Sequence, residues 1–217
     1  MRPFTTLTAL ACKLAIDNID TDQLIPARFM RRPRSEGYGA FLLHDLRFDT
    51  DGAPKPEFPL NNPKLSGCKV ILAGRNFGCG SSREAAVYAL ADYGIRVVIA
   101  SSFGDIFASN AIKNSVLPAQ ISEEDFERLM RADELVGHRL LTIDLGAQTI
   151  TAGNLVVTFT IDPVWKKQLL NGWDDIDMTR SEAETIARFA EQDEIRRPWM
   201  KPAGVPPPIH SRRGENR

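Results

Sequence analysis

The sequence CKVILAGRNFGCGSSREAAVYALADYGIRVVIA, residues 68–100, decides the fold class of this chain. Residues 68–73 form a short apolar run with the length of a buried strand, and a glycine-rich segment follows it. Apolar residues then recur at helical spacing until Gly94, and residues 95–100 form a second β-branched run. This order of strand, tight loop, helix and strand is typical of an α/β protein.

The N-terminal part combines a first strand with long irregular segments. Residues 1–16 are apolar only over a short stretch and are interrupted by Lys13, so they predict a strand and argue against a signal peptide or a membrane span. Residues 17–22 are rich in turn-forming residues and carboxylates. Residues 35–62 are rich in Gly, Pro and Asp, which predicts a long excursion with limited regular structure.

The C-terminal half alternates helical and strand patterns, and it ends in a Pro-rich, basic segment that lacks core residues. We therefore expect one domain over residues 1–197 and a disordered tail over residues 198–217. The patterns within the domain predict a helix over 103–114 ended by Leu117-Pro118, a helix capped by Ser122 with Asp125, antiparallel strands over 139–145, 149–151 and 155–161, a helix over 163–170 ended at Gly172, and a longer helix capped by Thr179 with Glu182.

The composition excludes several classes of function. The 217 residues carry 27 basic and 28 acidic side chains, and this balance does not favour nucleic acid or a membrane as a partner. Three widely spaced cysteines, Cys12, Cys68 and Cys79, contain no C-x-x-C pair, which argues against a disulfide framework and against a complete metal site. We expect a cytoplasmic protein, and any iron-sulfur cluster must come from another chain.

The glycine-rich segment favours the binding of an anion. Gly74, Gly78 and Gly80 allow positive φ angles and a close approach of the backbone to a ligand. The residues Ser81-Ser82-Arg83 are expected at the first turn of the helix, where unpaired amides and the helix dipole favour a carboxylate. The segment lacks the Gly-Lys-Ser/Thr ending of a phosphate loop and the third glycine of a dinucleotide motif. A tight turn capped by a serine, without any ligand, explains the same residues equally well.

Four segments together resemble one family. The sequence from Asn76 to Glu84, NFGCGSSRE, resembles the signature of the swivelling domain of the aconitase superfamily. Residues 17–26, 103–114 and 172–176 resemble, in the expected order, the small subunits of isopropylmalate isomerase, or 3-isopropylmalate dehydratase. The resemblance implies a three-layer β/β/α swivelling domain of the α/β class, similar to the aconitase C-terminal domain, with a helical C-terminal extension.

The resemblance also implies an activity that needs a second chain. The family's enzymes are hydro-lyases of leucine biosynthesis, which interconvert 2-isopropylmalate and 3-isopropylmalate by dehydration and rehydration through 2-isopropylmaleate. Their small dicarboxylic hydroxy-acid substrate lies between a small subunit and a separate large subunit, in a heterodimer or a higher assembly. A 4Fe-4S cluster on the large subunit is the implied cofactor, and none is expected on this chain alone.

Residue roles follow from the matching motifs. Ser81 looks like the base that removes the proton from carbon, and Ser82 and Arg83 look like ligands of a substrate carboxylate. The segment Phe29-Met30-Arg31-Arg32 occupies the place of the family's substrate-selecting loop, where Phe29 and Met30 would meet the substrate side group and Arg31 would tune the charge. The alternative for this segment is a solvated basic loop. Supporting active-site roles are implied for Asp17, Asn76, Gly78 and Gly80.

Two further alternatives stay open at this stage. The family usually reads Ser-Arg-Glu-His-Ala, whereas Ala85 follows Glu84 here, so a paralogue that acts on a related malate such as citramalate or dimethylmalate is an alternative. A non-catalytic anion-binding or regulatory module on the same fold is a separate alternative. The spacing of Asp17, Asp20 and Asp22 also suits a metal cluster, but we favour turn capping for Asp20 and Asp22.

Overall fold

Strand β1, Thr6–Leu14, is the centre of a mixed sheet in the computed structural model, which describes residues 2–132 and 140–200. β1 runs parallel to β2, Val70–Ala73, with Ala11 opposite Val70, and antiparallel to β5, Leu140–Asp144, with Thr6 opposite Asp144. The remaining strands are β3 (Val97–Ala100), β4 (Leu117–Gln120), β6 (Thr149–Ala152) and β7 (Leu155–Thr158), and the order across the sheet is β4-β3-β2-β1-β5-β6-β7.

The sheet has a parallel half and an antiparallel half because of how its strands are connected. Helices link the parallel strands β2, β3 and β4, whereas short turns link the meander β5 to β7. The α-helices of the described residues are α1 (Thr21–Leu24), α2 (His44–Arg47), α3 (Glu84–Tyr93), α4 (Asp105–Lys113), α5 (Glu123–Arg131), α6 (Pro163–Asn171), α7 (Asp175–Ser181) and α8 (Ala183–Arg196).

The two ends of the sheet approach each other. Gln120 at the end of β4 forms an isolated antiparallel bridge with Thr160, just after β7, and the Thr160 amide donates to the Gln120 carbonyl at 2.8 Å. Strands β4 and β7 lie at opposite ends of the strand order. A bridge between these two ends requires the sheet to curl. The α/β class and the curled, layered sheet agree with the expected swivelling domain.

Two buried apolar clusters lie on the two faces of the sheet. Along β1 the side chains alternate, so Cys12 and Leu14 join the cluster that α3 covers, while Ala9 and Ala11 join the cluster that contains Leu129 of α5. The parallel strands β2 and β3 are buried at every position, as expected of parallel strands covered on both faces.

The long excursion before β2 belongs to the first of these clusters. It consists of α2 and several short 3-10 turns, which agrees with the limited regular structure expected there. Tyr38, Leu42 and Leu43 are nevertheless almost completely buried. The excursion therefore covers one face of the sheet.

Most predicted elements are confirmed, and two predictions are wrong. Leu117-Pro118 was expected only to end a helix, but both residues lie in β4. Proline is tolerated there because β4 pairs along its length with β3 alone and its bridge to Thr160 lies at Gln120, so the missing N–H of Pro118 need not join a ladder. Thr179 was expected to cap the last helix, but it lies inside α7, and α8 begins after Glu182.

The described residues divide into two compact units. One extends to Asp175 and contains the sheet; the second begins at Ile176 and contains most of α7, α8 and the 3-10 turn Pro198–Met200. Residues 201–217 of the predicted tail, and residue 139 of the strand predicted over 139–145, lie outside the described residues. The predicted domain boundary at residue 197 stays a prediction. Among the described helices, none combines the length and the apolarity that crossing a membrane requires.

Candidate active site

The loop after β2 is held close to its neighbours at two glycines. Gly78 has φ +73°, and a β-carbon there would lie 2.2 Å from the ring of Phe107. A β-carbon on Gly74 would lie 2.3 Å from Asp17 Oδ1. Gly80 differs, because a β-carbon would meet nothing closer than 3.5 Å and only its φ of +91° favours glycine. The first two glycines are therefore required for close packing and the third for backbone conformation.

Helix α1 attaches directly to this loop through Thr21. The Thr21 amide donates to the Cys79 carbonyl at 2.9 Å, and the Thr21 hydroxyl donates to the Ser81 carbonyl at 2.9 Å. Thr21 is only 2% exposed, although it is polar. The helix is fixed by a capping box, in which the Asp20 carboxylate accepts from the Gln23 amide and the Gln23 side chain accepts from the Asp20 amide.

The next residue of α1 forms an ion pair with the loop. Asp22 Oδ1 pairs with Arg83 Nη1, and the Arg83 side chain is 24% exposed. The sequence predicts turn capping for both Asp20 and Asp22. The structure confirms capping for Asp20, but the Asp22 carboxylate holds the guanidinium that was expected to bind substrate.

Ser81 and Ser82 lie just before helix α3 and not in its first turn, where they were expected. The helix begins at Glu84, and Arg83 is its N-cap in an extended conformation with φ −99° and ψ 108°. The reason is local: the Arg83 amide donates to the Ser81 carbonyl at 2.7 Å, which makes a tight turn ahead of the helix. Both serine side chains are exposed.

Three consecutive backbone amides next to the serines have no partner within the described part of the chain. The hydrogen bonds found there leave the N–H groups of Gly80, Ser81 and Ser82 unused. Unpaired amides in a glycine-containing turn, with a guanidinium beside them, are groups of the kind that bind anions in proteins. The prediction of an anion-binding segment therefore rests on the turn and its amides, and the helix dipole contributes less than expected.

A polar cluster fixes the base of the loop. Asn18 and Asn76 have positive φ angles of 55° and 56°, and the Asn76 side-chain amide donates to Asn18 Oδ1 at 2.9 Å. The Asn76 backbone amide donates to the Ser102 hydroxyl at 2.8 Å. Asp17 accepts from the Arg75 amide at 3.0 Å and pairs with the Arg75 guanidinium at 3.1 Å. Residues other than glycine with positive φ angles are often found at functional sites. This observation agrees with the predicted role of Asn76 in holding the active-site loop.

Arg31 stands apart from these residues. It lies in the 3-10 turn Ala27–Arg31, is exposed, and has no carboxylate partner among the described residues. The other arginines of this region are all paired, Arg28 with Asp45, Arg32 with Glu36 and Arg34 with Asp92. Phe29 and Met30 are partly buried against the core, and the Phe29 ring stacks on Phe41 at 4.3 Å. Arg31 is thus the arginine of this loop that is free for a ligand.

The three cysteines differ in accessibility. Cys12 and Cys68 are buried, and burial raises the pKa of the Cys12 thiol to about 12 and that of the Cys68 thiol to about 11. Cys79 is partly exposed, and its Sγ lies 3.6 Å from the Asn18 carbonyl oxygen. The two buried thiols are unsuited to hold a cluster, and across residues 2–132 and 140–200 no group of three metal-binding side chains comes together.

The structure brings most of the predicted site residues together. The loop from Asn76 to Arg83, with Gly78, Gly80 and the two serines, is tied to Asp17 at its base and to α1 at its end. No hydrogen bond or ion pair among the described residues joins Arg31 to that loop. Asn18, Thr21, Asp22 and Ser102 are parts of the site that the sequence did not reveal. Asn18, Thr21 and Asp22 lie in the polar cluster of residues 17–22, which does not show which side chains meet the loop, and Ser102 has no such signal.

Comparison with known proteins gives consistent results. Residues 1–124 match the sequence profile of the aconitase C-terminal domain. The chain is 46% identical over 190 residues to the 3-isopropylmalate dehydratase small subunit of Shouchella clausii, which covers 87% of this chain and 95% of that one. It is 44% identical over 200 residues to the small subunit of the same name from Rhodospirillum centenum, covering 92% of this chain and 98% of that one.

A solved structure supports the same similarity. The crystal structure of a 3-isopropylmalate dehydratase from Methanocaldococcus jannaschii is similar in fold, with a TM-score of 0.59 and 25% sequence identity. The match covers 85% of this chain and 99% of that chain.

Proposed function

The chain belongs to the aconitase C-terminal domain family, among the 3-isopropylmalate dehydratase small subunits, and from this membership we propose that it is the small subunit of a hydro-lyase that interconverts 2-isopropylmalate and 3-isopropylmalate in leucine biosynthesis. The reaction removes water to give 2-isopropylmaleate and then adds it back in the opposite regiochemistry. The observation that carries the proposal is the exposed Ser81 hydroxyl beside the unpaired amides of Gly80, Ser81 and Ser82.

Ser81 is the base of the proposed mechanism. A serine hydroxyl is too weakly acidic to ionise near neutral pH unless its surroundings favour a negative charge. The unpaired amides and the Arg83 guanidinium supply that positive environment at fixed positions, so little reorganisation is needed during the reaction. The Ser81 Oγ then takes the proton from the substrate carbon.

Arg83, Ser82 and Arg31 hold the substrate carboxylates in this proposal. The guanidinium of Arg83 suits a carboxylate because its donors match two oxygens at once. Asp22 already occupies one edge of that guanidinium, which leaves the other donors for a ligand. Arg31 is free of carboxylates of its own chain, which supports a role in contacting the second carboxylate or the substrate side group.

The proposed enzyme needs a large subunit. The relatives' name, small subunit, supports a larger partner. A 4Fe-4S cluster on that partner would supply the Lewis acid for the departing hydroxyl, and the buried thiols of Cys12 and Cys68 are unsuited as ligands of such a cluster. This chain would contribute the base and the carboxylate ligands. We further propose that the complex is cytoplasmic.

The experiment is the Ser81→Ala variant, assayed after reconstitution with the large subunit. We expect kcat to fall about 10²- to 10⁴-fold, the usual contribution of a positioned base, while the complex still assembles. Ser66→Ala is the matched control, because Ser66 is an exposed serine outside the loop, and it should keep wild-type turnover. Unchanged turnover in Ser81→Ala, with assembly intact, would exclude Ser81 as the base and favour an anion-binding module.

The substrate is tested in the same complex. Isopropylmalate should have a higher kcat/KM than citramalate or dimethylmalate. The opposite order would identify a paralogous dehydratase. The Ala85→His variant would then show whether the residue that follows Glu84 affects the choice, because Ala85 packs partly buried at the start of α3.

A further inference from the structure

We infer that Thr21 is a positioning residue of the catalytic loop, whose hydroxyl fixes the direction of the amide N–H of Ser82 among the unpaired donors beside Ser81. The inference rests on the proposed function, since it assigns a task to a residue that supports Ser81. Thr21 does not touch substrate in this inference. Its effect is transmitted through the peptide group between Ser81 and Ser82.

The direction of the Ser82 amide follows from the bond that Thr21 makes. A trans peptide is planar, and its C=O and N–H point in opposite directions. Because the Thr21 hydroxyl holds the Ser81 carbonyl at 2.9 Å, the N–H of Ser82 must point away from α1. The Thr21 amide holds the Cys79 carbonyl in the same way, so the N–H of Gly80 points away from α1 as well. One residue thus orients two of the three unpaired donors.

The surroundings of Thr21 suit this role. The side chain is buried, so water does not compete for its hydroxyl. The capping box fixes the start of α1, and the Leu43 amide donates to the Leu24 carbonyl at the end of the helix. The loop therefore rests on a fixed support.

Removal of the hydroxyl should not unfold the subunit. The Ser81 carbonyl also accepts from the Arg83 amide at 2.7 Å, so it keeps one partner when Thr21 is replaced. Valine has nearly the shape of threonine and leaves no cavity. Thr21→Val therefore removes the restraint on the loop selectively, and Thr21→Ser keeps the hydroxyl while it removes only the methyl group.

The experiment compares Thr21→Val, Thr21→Ser and Thr142→Val in the complex with the large subunit. Thr142 is the matched control, because it lies on β5 and loses a single hydroxyl bond, at 2.9 Å to Thr8. We expect kcat/KM of Thr21→Val to fall about 10- to 100-fold, since a small misplacement of reacting groups has effects of that size. Thr21→Ser should restore most of the activity, and Thr142→Val should match the wild type. Melting temperature and affinity for the large subunit should be the same in all three.

Three results would overturn the inference. Thr21→Val with wild-type kcat and KM would show that the hydroxyl does not position the loop. A loss of activity that follows a loss of melting temperature or of assembly would show a structural role only. Equal losses in Thr21→Val and Thr21→Ser would exclude the hydroxyl as the cause. Ser81→Ala is assayed in parallel: if it is inactive, the proposed role of Ser81 stands whatever Thr21 does, and if it has wild-type activity, both the role of Ser81 and the inference for Thr21 fall.

Discussion

Neighbouring residues of α1 serve the loop in different ways. Asp20 caps the helix, Thr21 bonds the loop backbone, and Asp22 pairs with Arg83. Each contact depends on the side to which a residue points within a single helical turn. A difference of two positions in the sequence therefore separates the structural carboxylate of Asp20 from the carboxylate of Asp22, which belongs to the site.

The ion pair of Asp22 with Arg83 makes a prediction for Asp22→Asn. The free guanidinium would attract substrate more strongly but would lose its fixed orientation, and these effects offset each other in binding. In the reconstituted complex we therefore expect kcat to fall about tenfold while KM changes by less than about threefold. Stability should change by at most about 1 kcal/mol, because the Asp22 side chain is 53% exposed.

The control for this variant is Asp125→Asn. Asp125 pairs with Arg128 on α5, away from the loop, so its loss should leave both kinetic constants unchanged. If both variants reduced kcat equally, the effect of Asp22→Asn would not arise from Arg83.

The contact of Gly78 with Phe107 makes a second prediction. Gly78→Ala should lower the free energy of unfolding more than Gly67→Ala, measured by urea denaturation. Both glycines have nearly the same positive φ, +73° and +74°, but a β-carbon at position 67 would meet nothing within 4 Å. The difference between the two losses in free energy of unfolding measures the cost of the clash with Phe107. Overpacking of a core typically costs about 1–3 kcal/mol. Equal losses would mean that the Phe107 ring moves aside without cost.

The residues proposed to act on the substrate could be predicted from the sequence better than the residues that hold the loop in place. Ser81 and Arg83 lie in a local sequence motif, and their residue types indicate which chemical roles they can have. Thr21 and Asn18 act through residues about 60 positions away, by bonds that no local pattern encodes. Asp22 could have been found from its carboxylate, but spacing alone does not separate capping from ion pairing.

At the scale of elements, strand burial determines how the thiols titrate. Cys12 lies in β1 with no exposed surface, and Cys68, which lies just before β2, is 1% exposed. Burial disfavours the thiolate and raises both pKa values from the ordinary value of 9.0. The folded chain therefore keeps these protons to higher pH than the unfolded chain does.

This difference predicts a loss of stability in alkali. As the pH rises above about 9, the unfolded chain releases the two thiol protons first, so the free energy of unfolding falls until the folded pKa values are passed. Each thiol contributes a slope of at most about 1.4 kcal/mol per pH unit. Urea denaturation between pH 8 and pH 10.5 should show a shallower decline for Cys12→Ala than for the wild type. Parallel declines in the two proteins would contradict the assignment.

Elements were predictable where a single period dominates the sequence. β2, α3 and β3 follow from an apolar run, a helical repeat and a second apolar run. β4 was missed because it is four residues long and contains Pro118, which ordinarily argues against a strand. Its strand conformation depends on β3, which lies beside it in the sheet, and so it is a tertiary effect.

At the scale of the whole molecule, the two apolar clusters belong to the first unit. Within the second unit, several large apolar side chains are exposed, such as Phe189 at 63%. The sequence predicts the domain boundary at residue 197, because the segment from Pro198 onward is Pro-rich and basic and lacks core residues, whereas the residues before it carry a helical pattern. A helical pattern does not show what the helix packs against.

A shortened chain tests the boundary. A protein ending at Asp175 should unfold cooperatively, with a midpoint within about 4 °C of the full chain, because a shift of that size corresponds to about 1 kcal/mol for a domain this long. Differential scanning calorimetry gives the measurement, and a chain ending at residue 197 is the control. A much lower midpoint for the shorter chain alone would favour the boundary at 197.

The central position of β1 also determines when the sheet can be completed during synthesis. β1 leaves the ribosome first, yet its two neighbours, β2 and β5, begin at Val70 and Leu140. Domains fold during synthesis from the N-terminus onward, so the parallel half can assemble on β1 well before the meander exists. Until the meander arrives, the other edge of β1 stays open and can pair with another chain. A slow stretch of translation before Leu140 would prolong that interval, and a chaperone that covers an open strand edge would have its greatest effect there.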